Sequence, residues 1–401
     1  MGALDGVRVV DLGNAIHGPY AAQMLADMGA DVIKIEPPHG ELNRGAMVVG
    51  DRFNQGSQYF ACNRNKRTIC LDLKQAAGLD VAKALISLAD VLIENTRPGV
   101  MDRLGLGYEA LSAMNPRLIY GSATAYGVRG PRAQKPSVDI VGQAAGGLLA
   151  HTGTPETGPL PAGSAIGDHG GSIWLAYGIV LALYARDRTG RGQHVTTSLL
   201  GSQIGLQQWE LTHHLMTGQE PPQAGRAHPL IAGSWRVYRA ADGHFALGLV
   251  NDPRWPKLCR AIERPELIDD PRFATSASRL ANTEPLVQAL QAAFEQWSLL
   301  EVVDRLDRAD QTVSPVVNYE QLVADEQVRA NGYVVEHESE VFGKVALVGL
   351  PVELSETPGA IRTLAPRLDE HTGQVLEELG YTGDEIAALY ASQAAGAATG
   401  R

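Results

Sequence analysis

The feature that most constrains the fold is a strand–helix–strand alternation that begins near the N-terminus. Residues 7–12 (VRVVDL) and 31–36 (DVIKIE) are short and rich in β-branched side chains, and GPYAAQMLADMGA between them predicts a helix ending near Gly29. Strands joined by such a crossover lie parallel, so this unit predicts a parallel sheet. Further strands are predicted at RTICLDL, DVLIEN and RLIYGSAT. The alternation favours a doubly wound α/β layer with its ligand at the carboxyl ends of the strands. The first turn lacks G-x-G-x-x-G, so a dinucleotide is not predicted.

The middle of the chain differs from the N-terminal part in composition and in its predicted elements. GQEPPQAGRAHP is rich in Pro and Gly, and WRVYRAADGHFALGLV predicts a hairpin with a D-G turn, followed by helices near 284–297 and 300–308. We predict a large domain of residues 1–205 and 335–401, a smaller α/β domain of 225–330, and linkers at 206–224 and 331–334. The last residues, SQAAGAATGR, are predicted to fray.

Charge and cysteine usage restrict the partners. The 401-residue chain has a formal net charge of −11, whereas nucleic-acid binding calls for a basic surface, so we expect no nucleic acid. Its three cysteines have no metal or redox spacing and indicate a reducing compartment. No secretory signal is visible, and the longest apolar stretch, 173–185, is too short for a membrane span and predicts a buried helix. The expected location is the cytoplasm, without membrane contact.

Asp168 stands alone among glycines in AGSAIGDHGGS, just before the apolar helix. Two interpretations are compatible with this. Asp168 could be the N-cap of a helix beginning near Gly170, which spacing alone favours. It could instead be an exposed, ionised nucleophile that needs no partner base, with glycine clearance and helix N–H groups for a developing oxyanion.

Other candidate groups give weaker signals. His169 adjoins Asp168, but sequence neighbours rarely point the same way, so a dyad is not predicted. His17, His213 and His214 lack a second ligand at H-x-x-x-H spacing, so no metal site is predicted. Basic side chains cluster locally, as surface charge or as a cradle for phosphates: Arg97, Arg103, Arg129, Arg132 and Lys135.

Several stretches in order resemble one family across nearly the whole chain. LDGVRVVDL, YFACNRNKRTICLDLK, ENTRPGVMDRLGLGYEAL, NPRLIYGSATAYG, GDHGGS and RTGRGQHV are similar to class III (CaiB/BaiF) CoA-transferases. The resemblance implies a Rossmann-like large domain with a parallel sheet, a smaller α/β domain, and two chains interlocked as a ring-like homodimer.

The resemblance also implies a reaction. An acyl-CoA:carboxylate CoA-transferase would use Asp168 to form acyl-aspartyl anhydride and aspartyl-CoA thioester intermediates, with acyl-CoA and a small carboxylic acid as substrates and no tightly bound cofactor. The CoA contacts carried over from the family are Ile16, His17, Lys74, Asn95, Thr96, Arg97, Arg103 and Lys135. Val138, Asp139 and His169 are candidates for the substrate pocket, and His17 or His169 for holding a second carboxylate of the acceptor.

Three departures from the family pattern qualify this expectation. Pro37 and Pro38 stand where an arginine often contacts the nucleotide, and GLVNDPRW stands where some members carry a glycine-rich lid. Val138 replaces the histidine that racemases of the family carry before the match to Asp139, which disfavours racemisation. The alternatives are an α-methylacyl-CoA racemase or epimerase, and a CoA-binding protein without catalysis.

Overall fold

The structure, a computed structural model, describes residues 1–48 and 56–398. It divides into two compact units: the first takes the described residues of 1–146, 163–206 and 326–401, and the second takes 147–162 and 207–325. Residues 147–162, assigned to the large domain from sequence, group with the second unit. The predicted linker 206–224 contains a helix, Gln208–Thr217. That the two units behave as separate domains stays a prediction.

The first unit is built on a six-stranded parallel sheet, which confirms the predicted α/β class. Its strands are β1 (Arg8–Asp11), β2 (Asp31–Glu36), β3 (Lys66–Cys70), β4 (Val91–Glu94), β5 (Ile119–Thr124) and β6 (His194–Ser198). The strand order is 3-2-1-4-5-6. The winding direction therefore reverses between β1 and β4, and the crevice outside the carboxyl ends of these two strands is the expected ligand site.

Helices cover both faces of this sheet, because successive strand residues point to opposite sides. Val9 packs with Leu25 and Ile179 on one face, and Val10 packs with Leu85 and Leu376 on the other. The helix Ile166–Thr189 on the first face carries Asp168 and is called the Asp168 helix below. The other helices of this unit are His17–Asp27, Ser57–Cys62, Ala76–Ser87, Val100–Arg103, Tyr108–Met114, Asp139–Ala145, Leu199–Leu206, Glu326–Ala330, Thr372–Glu378 and Gly383–Ala391.

Two expectations for this unit are corrected. The apolar stretch 173–185 was expected to be a buried helix, but only one side packs on the sheet, and Tyr177 on the other side is exposed. The C-terminal residues were expected to fray, but Ala394 and Ala395 are buried and the N–H of Gly396 donates to the carbonyl of Cys70 at 3.0 Å. The prediction is wrong as far as residue 398, and its last three residues, 399–401, lie outside the described residues.

Two strands of this unit stand apart from the main sheet. Val334–Ser339 and Gly343–Val348 pair antiparallel as a hairpin. The connection is short, since Ser339 pairs with Gly343 in the register of the two strands.

The second unit contains a four-stranded antiparallel sheet of β7 (Ala227–His228), β8 (Ile231–Arg239), β9 (His244–Leu247) and β10 (Val313–Pro315). Arg239 pairs with His244 across the Asp242-Gly243 turn, which confirms the predicted hairpin. A short ribbon joins Gly153–Thr154 to Gly158–Pro159. The core of this unit includes Trp255 and Phe294. The helices of this unit are Leu148–His151, Gln208–Thr217, Trp255–Ala261, Ser276–Ala281, Thr283–Phe294, Leu299–Arg308 and Tyr319–Ala324.

All three cysteines, Cys62, Cys70 and Cys259, are buried free thiols. Among residues 1–48 and 56–398, no helix combines the length and the apolar character that crossing a bilayer requires.

Candidate active site

The loops that follow β1 and β4 are joined at the point where the strand order reverses. The side-chain amide of Asn95 accepts a hydrogen bond from the N–H of Asn14 at 2.8 Å and donates to the carbonyl of Asn14 at 2.7 Å. Both polar atoms of the Asn95 amide are therefore engaged with the main chain of the first loop. The structure gives Asn95, predicted from the family as a CoA contact, a role in shaping the crevice.

The Asp168 helix packs directly against the loop after β1. The hydroxyl of Ser172 lies 2.9 Å from the carbonyl oxygen of His17 and 2.8 Å from that of Asp168. Gly171 leaves space for the His17 ring, since a Cβ there would lie 2.5 Å from Nε2. The structure thus brings His17 and its neighbour Ile16 together with the helix that bears Asp168.

Asp168 is the third residue of its helix, so the interpretation as an N-cap is wrong. The N-cap is Ala165, which has no side-chain cap, and the carboxylate of Asp139 supplies that function from another segment. Asp139 Oδ1 accepts hydrogen bonds from the N–H groups of Gly167 at 2.7 Å and Asp168 at 3.2 Å. Sequence reasoning missed this role because the acceptor lies 28 residues away from Gly167 along the chain.

The remaining N–H groups of the first turn are also occupied. The N–H of Ile166 donates to the carbonyl of Ser164 at 2.8 Å, and that of His169 donates to the carbonyl of Ala165 at 3.0 Å. A helix N-terminus normally has four N–H groups without an acceptor in the helix, and three of them here, on Ile166, Gly167 and Asp168, have acceptors outside it, whereas the bond of His169 is the first of the helix itself. These existing bonds are unfavourable to the expectation that the N–H groups hold a developing oxyanion, which stays a prediction.

The carboxyl group of Asp168 is not fully exposed, and its pKa is raised from the ordinary 3.8 to about 7. Burial is the larger cause and the negative charge of Asp139 is the second. Within the part of the chain that the structure describes, no donor is assigned to this carboxylate. The expectation of an exposed, fully ionised aspartate is wrong, since about half of the molecules carry the proton at pH 7. A carboxylate with a raised pKa is also more basic, and so a stronger nucleophile once ionised.

The two histidines beside Asp168 have defined partners. His17 is buried, its Nε2 lies 3.1 Å from Thr197 Oγ1, and burial lowers its pKa to about 4. It is therefore uncharged at neutral pH, which is unfavourable for holding a second carboxylate. His169 Nδ1 lies 2.8 Å from the carbonyl oxygen of Ala165 and must donate to it, while the His169 ring stands edge-on to Tyr20 with centroids 5.2 Å apart.

The other predicted contacts lie on the surface or around a separate cavity. The Thr96 hydroxyl donates to Glu94 at 2.7 Å, and Thr96 and Arg97 line a cavity of about 250 Å³ with Tyr120. Tyr120 belongs to the sheet face opposite the Asp168 helix. Val138 is 62% exposed and precedes Asp139 at the start of its helix. The predicted basic contacts have exposed side chains: Lys74, Arg103 and Lys135.

Metal ligation has no candidate among residues 1–48 and 56–398, where no group of three or more His, Cys, Asp or Glu side chains is arranged to hold an ion. The expected absence of a metal stays a prediction.

Comparison with known proteins places this geometry in context. The sequence model of CoA-transferase family III matches residues 4–372. The chain is 36% identical over 387 residues to the acetyl-CoA:oxalate CoA-transferase of Acetobacter aceti, covering 94% of this chain and 96% of that protein. It is 35% identical over 382 residues to the succinate–glutarate CoA-transferase of Agrobacterium fabrum, covering 94% and 95%. The crystal structure of a CaiB/BaiF family protein from Brucella suis matches with a TM-score of 0.85 and 33% identity, covering 94% of this chain and 99% of that one.

Proposed function

The chain belongs to CoA-transferase family III and is a CoA-transferase, and we propose that it moves CoA from a donor acyl-CoA to an acceptor carboxylic acid through covalent intermediates on Asp168. The observation that carries this proposal is the Asp168 carboxylate itself. It is partly buried, its helix packs against the loop after β1 at the strand-order reversal, and its pKa is raised to about 7. Raised pKa values cluster at functional sites, because burial that disfavours a charge is seldom retained without use.

The proposed reaction begins with attack of the Asp168 carboxylate on the donor thioester carbonyl. The C–S bond breaks, which leaves an acyl-aspartyl anhydride and CoA thiolate. The thiolate then attacks the aspartyl carbonyl of the anhydride, releasing the donor acid as its carboxylate and forming an aspartyl-CoA thioester.

The second half of the reaction repeats these steps in reverse with the acceptor. Its carboxylate attacks the aspartyl thioester and displaces CoA thiolate, which gives a new mixed anhydride. The thiolate attacks the acceptor acyl carbonyl, forming the product thioester and regenerating the Asp168 carboxylate. Every nucleophile reacts as an anion, and Asp168 reaches that state by its own ionisation near pH 7, so no general base is required. One thioester replaces another without an external energy source.

The site must exclude water during these steps, since both intermediates hydrolyse. The loop after β1, packed against the Asp168 helix through His17 and Ser172, is a rigid wall suited to that purpose. The proposed CoA contacts are the family-implied positions Ile16, His17, Lys74, Asn95, Thr96, Arg97, Arg103 and Lys135. Exposure of the basic members is consistent with capture of phosphate groups from solvent.

We propose that the acceptor is a small carboxylic acid. The relatives named above act on oxalate and on succinate and glutarate, so short dicarboxylates are the first acceptors to test. His17 is uncharged at neutral pH, so we do not assign the second carboxylate of such an acid to it.

The same proposal includes a homodimer. The outward side of the Asp168 helix carries a contiguous apolar stripe, although helices that are apolar all round are normally covered. A second copy of this chain is the occupant that the family resemblance implies. The exposed members of the stripe, each at least 42% accessible, are Ile173, Trp174, Tyr177, Val180, Leu181 and Tyr184. We place the enzyme in the cytoplasm, where its three free thiols would persist.

Racemisation is the principal competing activity, and Val138 argues against it. An α-carbon racemase needs a proton donor and acceptor on opposite faces, and the valine side chain before Asp139 can be neither. Chiral donor acyl-CoA incubated in deuterium oxide distinguishes the two: we expect CoA transfer without α-deuterium incorporation. Incorporation at a rate comparable with turnover would establish the racemase.

The test of the proposed function combines turnover with adduct mapping. Acetyl-CoA and succinyl-CoA are paired with oxalate, succinate and glutarate, and new thioesters are separated by chromatography while the peptide containing Asp168 is weighed by mass spectrometry. We expect transfer for at least one pair and a CoA adduct on Asp168. Asp168→Ala should abolish both, and undiminished transfer by this variant would overturn the assignment. CoA binding without any adduct or turnover would establish a binding protein instead.

A further inference from the structure

A cluster of buried charges lies under the first loop and takes no part in the proposed chemistry. Asp11, at the end of β1, and Lys34, in β2, have fully buried side chains, as does Lys66 at the start of β3. Lys66 Nζ lies 2.8 Å from Asp11 Oδ2, and Lys34 Nζ lies 3.7 Å from the same oxygen. Glu41 completes the charge balance at 3.0 Å from Lys34 Nζ.

Stability alone does not account for such a cluster. Removing an ammonium group from water costs several kcal/mol, and apolar side chains of similar volume often serve a protein core equally well. Burial would raise the pKa of Asp11, but the two ammonium groups outweigh it and keep that pKa below its ordinary value. Asp11 is therefore held in its ionised form, whereas burial lowers the pKa of Lys66 and raises that of Glu41.

Lys66 Nζ also donates to Asn63 Oδ1 at 2.7 Å, and the other three hydrogen bonds of the cluster reach the two ends of one loop. At the first end, Lys34 Nζ donates to the carbonyl of Gly13 at 2.6 Å, and Asp11 Oδ1 accepts from the N–H of Gly13 at 2.7 Å. At the other end, Lys66 Nζ donates to the carbonyl of Pro19 at 2.7 Å. The cluster thus clamps residues 13–19, which comprise the loop after β1 and the first three residues of the helix His17–Asp27 and are here called the β1 loop.

The β1 loop is the segment that touches the Asp168 helix. Ile16 and His17 lie in it, and the carbonyl of His17 receives the Ser172 hydroxyl one turn after Asp168. The loop also fits tightly on itself, because a Cβ on Gly13 would lie 2.8 Å from the Pro19 ring. A displacement at either clamped end must therefore disturb the contact of His17 with Ser172 on the Asp168 helix.

From these contacts we infer that Asp11, Lys34 and Lys66 are positioning residues, which hold the β1 loop against the Asp168 helix so that the thioester carbonyl is presented to the carboxylate. This inference rests on the proposed function for its effect on catalysis. The placement of the loop by the cluster is a separate statement that can be measured without turnover.

The expected signature is a split between kcat and KM. Small displacements of reacting groups cost about a hundredfold in rate, so loss of the clamp should lower kcat by about tenfold to a hundredfold. Of the proposed CoA contacts, Ile16 and His17 lie in the loop, but the basic ones that would hold the phosphates, such as Lys74 and Arg103, lie outside it. The donor keeps these charged contacts, so its KM should change by less than about threefold. A role in stability alone would not separate the two constants in this way.

The experiment compares Lys66→Met with the double variant Asp11→Asn/Lys66→Met. The single change leaves the buried negative charge of Asp11 with one ammonium partner in place of two and is expected to destabilise the protein. It therefore serves only as the reference for folding. The double change removes both members of the ion pair, which is expected to restore much of the stability while the hydrogen bond to Pro19 stays absent. Asp27→Asn/Arg64→Met is the matched control, because that buried pair, 2.8 Å apart, makes no hydrogen bond to the β1 loop.

Three quantities decide the outcome: the melting temperature, kcat and KM for the donor, and hydrogen exchange of a peptide spanning residues 13–19. The inference is supported if the melting temperature of the double variant returns most of the way to the wild-type value while its kcat stays low, its KM stays near normal and its loop exchanges faster. The control must keep the wild-type kcat. Recovery of kcat together with stability, or an equal loss of kcat in the control, overturns the inference. If the wild-type protein transfers no CoA, the proposed function fails, and hydrogen exchange alone decides the positioning. Wild-type loop protection in the double variant would then overturn it.

Discussion

Asp139 caps the first turn of the helix that carries Asp168, with Oδ1 2.7 Å from the N–H of Gly167 and 3.2 Å from that of Asp168 itself. The two carboxylates therefore act on each other in two ways. Asp139 fixes the backbone that carries Asp168, and its charge opposes ionisation of that side chain. A group that both positions a nucleophile and raises its basicity links the geometry of this site to its pH dependence.

The pH profile of the reaction should report Asp168. Only the ionised carboxylate attacks a thioester, so kcat/KM for the donor should fall about tenfold for each pH unit below the pKa of about 7 and level off above it. Asp139→Asn keeps an oxygen acceptor for the helix but removes the charge, so the inflection should move to lower pH. It should remain above the ordinary 3.8, because burial is the larger cause. Initial rates between pH 5 and 9, on the order of one point per half unit, test this against Asp80→Asn, an exposed control. An inflection unmoved in Asp139→Asn would contradict the stated coupling.

Replacing Asp168 should stabilise the folded chain, in a pH-dependent manner. The pKa of Asp168 is higher in the folded than in the unfolded chain. Its ionisation therefore does not lower the free energy of unfolding below about pH 4, and lowers it increasingly as the pH rises to about 7. Asp168→Asn should therefore raise the free energy of unfolding by about 4 kcal/mol at pH 8, and by less than about 2 kcal/mol at pH 5. Urea unfolding at the two pH values measures the difference. An equal increase in the free energy of unfolding at both pH values would show that the stabilisation does not come from removing the charge.

Gly171 should tolerate no side chain, because the His17 ring occupies the space. A Cβ there would meet Nε2 at 2.5 Å, so Gly171→Ala should destabilise the protein by about 1–3 kcal/mol through overpacking. Gly373→Ala is the control, since it lies in the helix Thr372–Glu378 with no atom within 4 Å of the added Cβ, and alanine favours helices. The control should be neutral or slightly stabilising. Thermal unfolding compares them, and Gly171→Ala combined with His17→Ala should recover part of the loss if the contact is responsible.

The apolar stripe on the Asp168 helix should be required for assembly. Val180→Glu or Tyr177→Glu places a charge in the stripe and should convert the proposed dimer to monomer or to aggregate, whereas Leu88→Glu changes an exposed leucine outside it. Light scattering coupled to size-exclusion chromatography gives the mass of each species. A dimer that survives both stripe substitutions would place the interface elsewhere.

The strands and most helices of this protein could be predicted from sequence because their signals are local. DVIKIE forms β2 over the residues expected of it, and the D-G turn of the second unit joins the strands that flank it. Turn chemistry, side-chain branching and apolar periodicity act over a few residues, so they can be recognised without the rest of the chain.

The character of Asp168 could not be predicted in the same way. Its glycine-rich setting singled it out, but left a cap and a nucleophile both open, and the sequence suggested full ionisation. Its pKa depends on how much water the folded chain removes and on Asp139, a neighbour distant in sequence. Burial and through-space charge are properties of the packed structure, so no pattern around residue 168 encodes them.

The lysines of β2 and β3 show the same division. By itself the sequence determined that Lys34 and Lys66 lie in or beside strands, because the surrounding runs are β-branched and short. Only the tertiary structure decided that both point inward, share Asp11, and clamp the two ends of the β1 loop. The physical reason is that a buried charge is tolerated only where partners from other strands meet it, and those partners are assembled by the sheet.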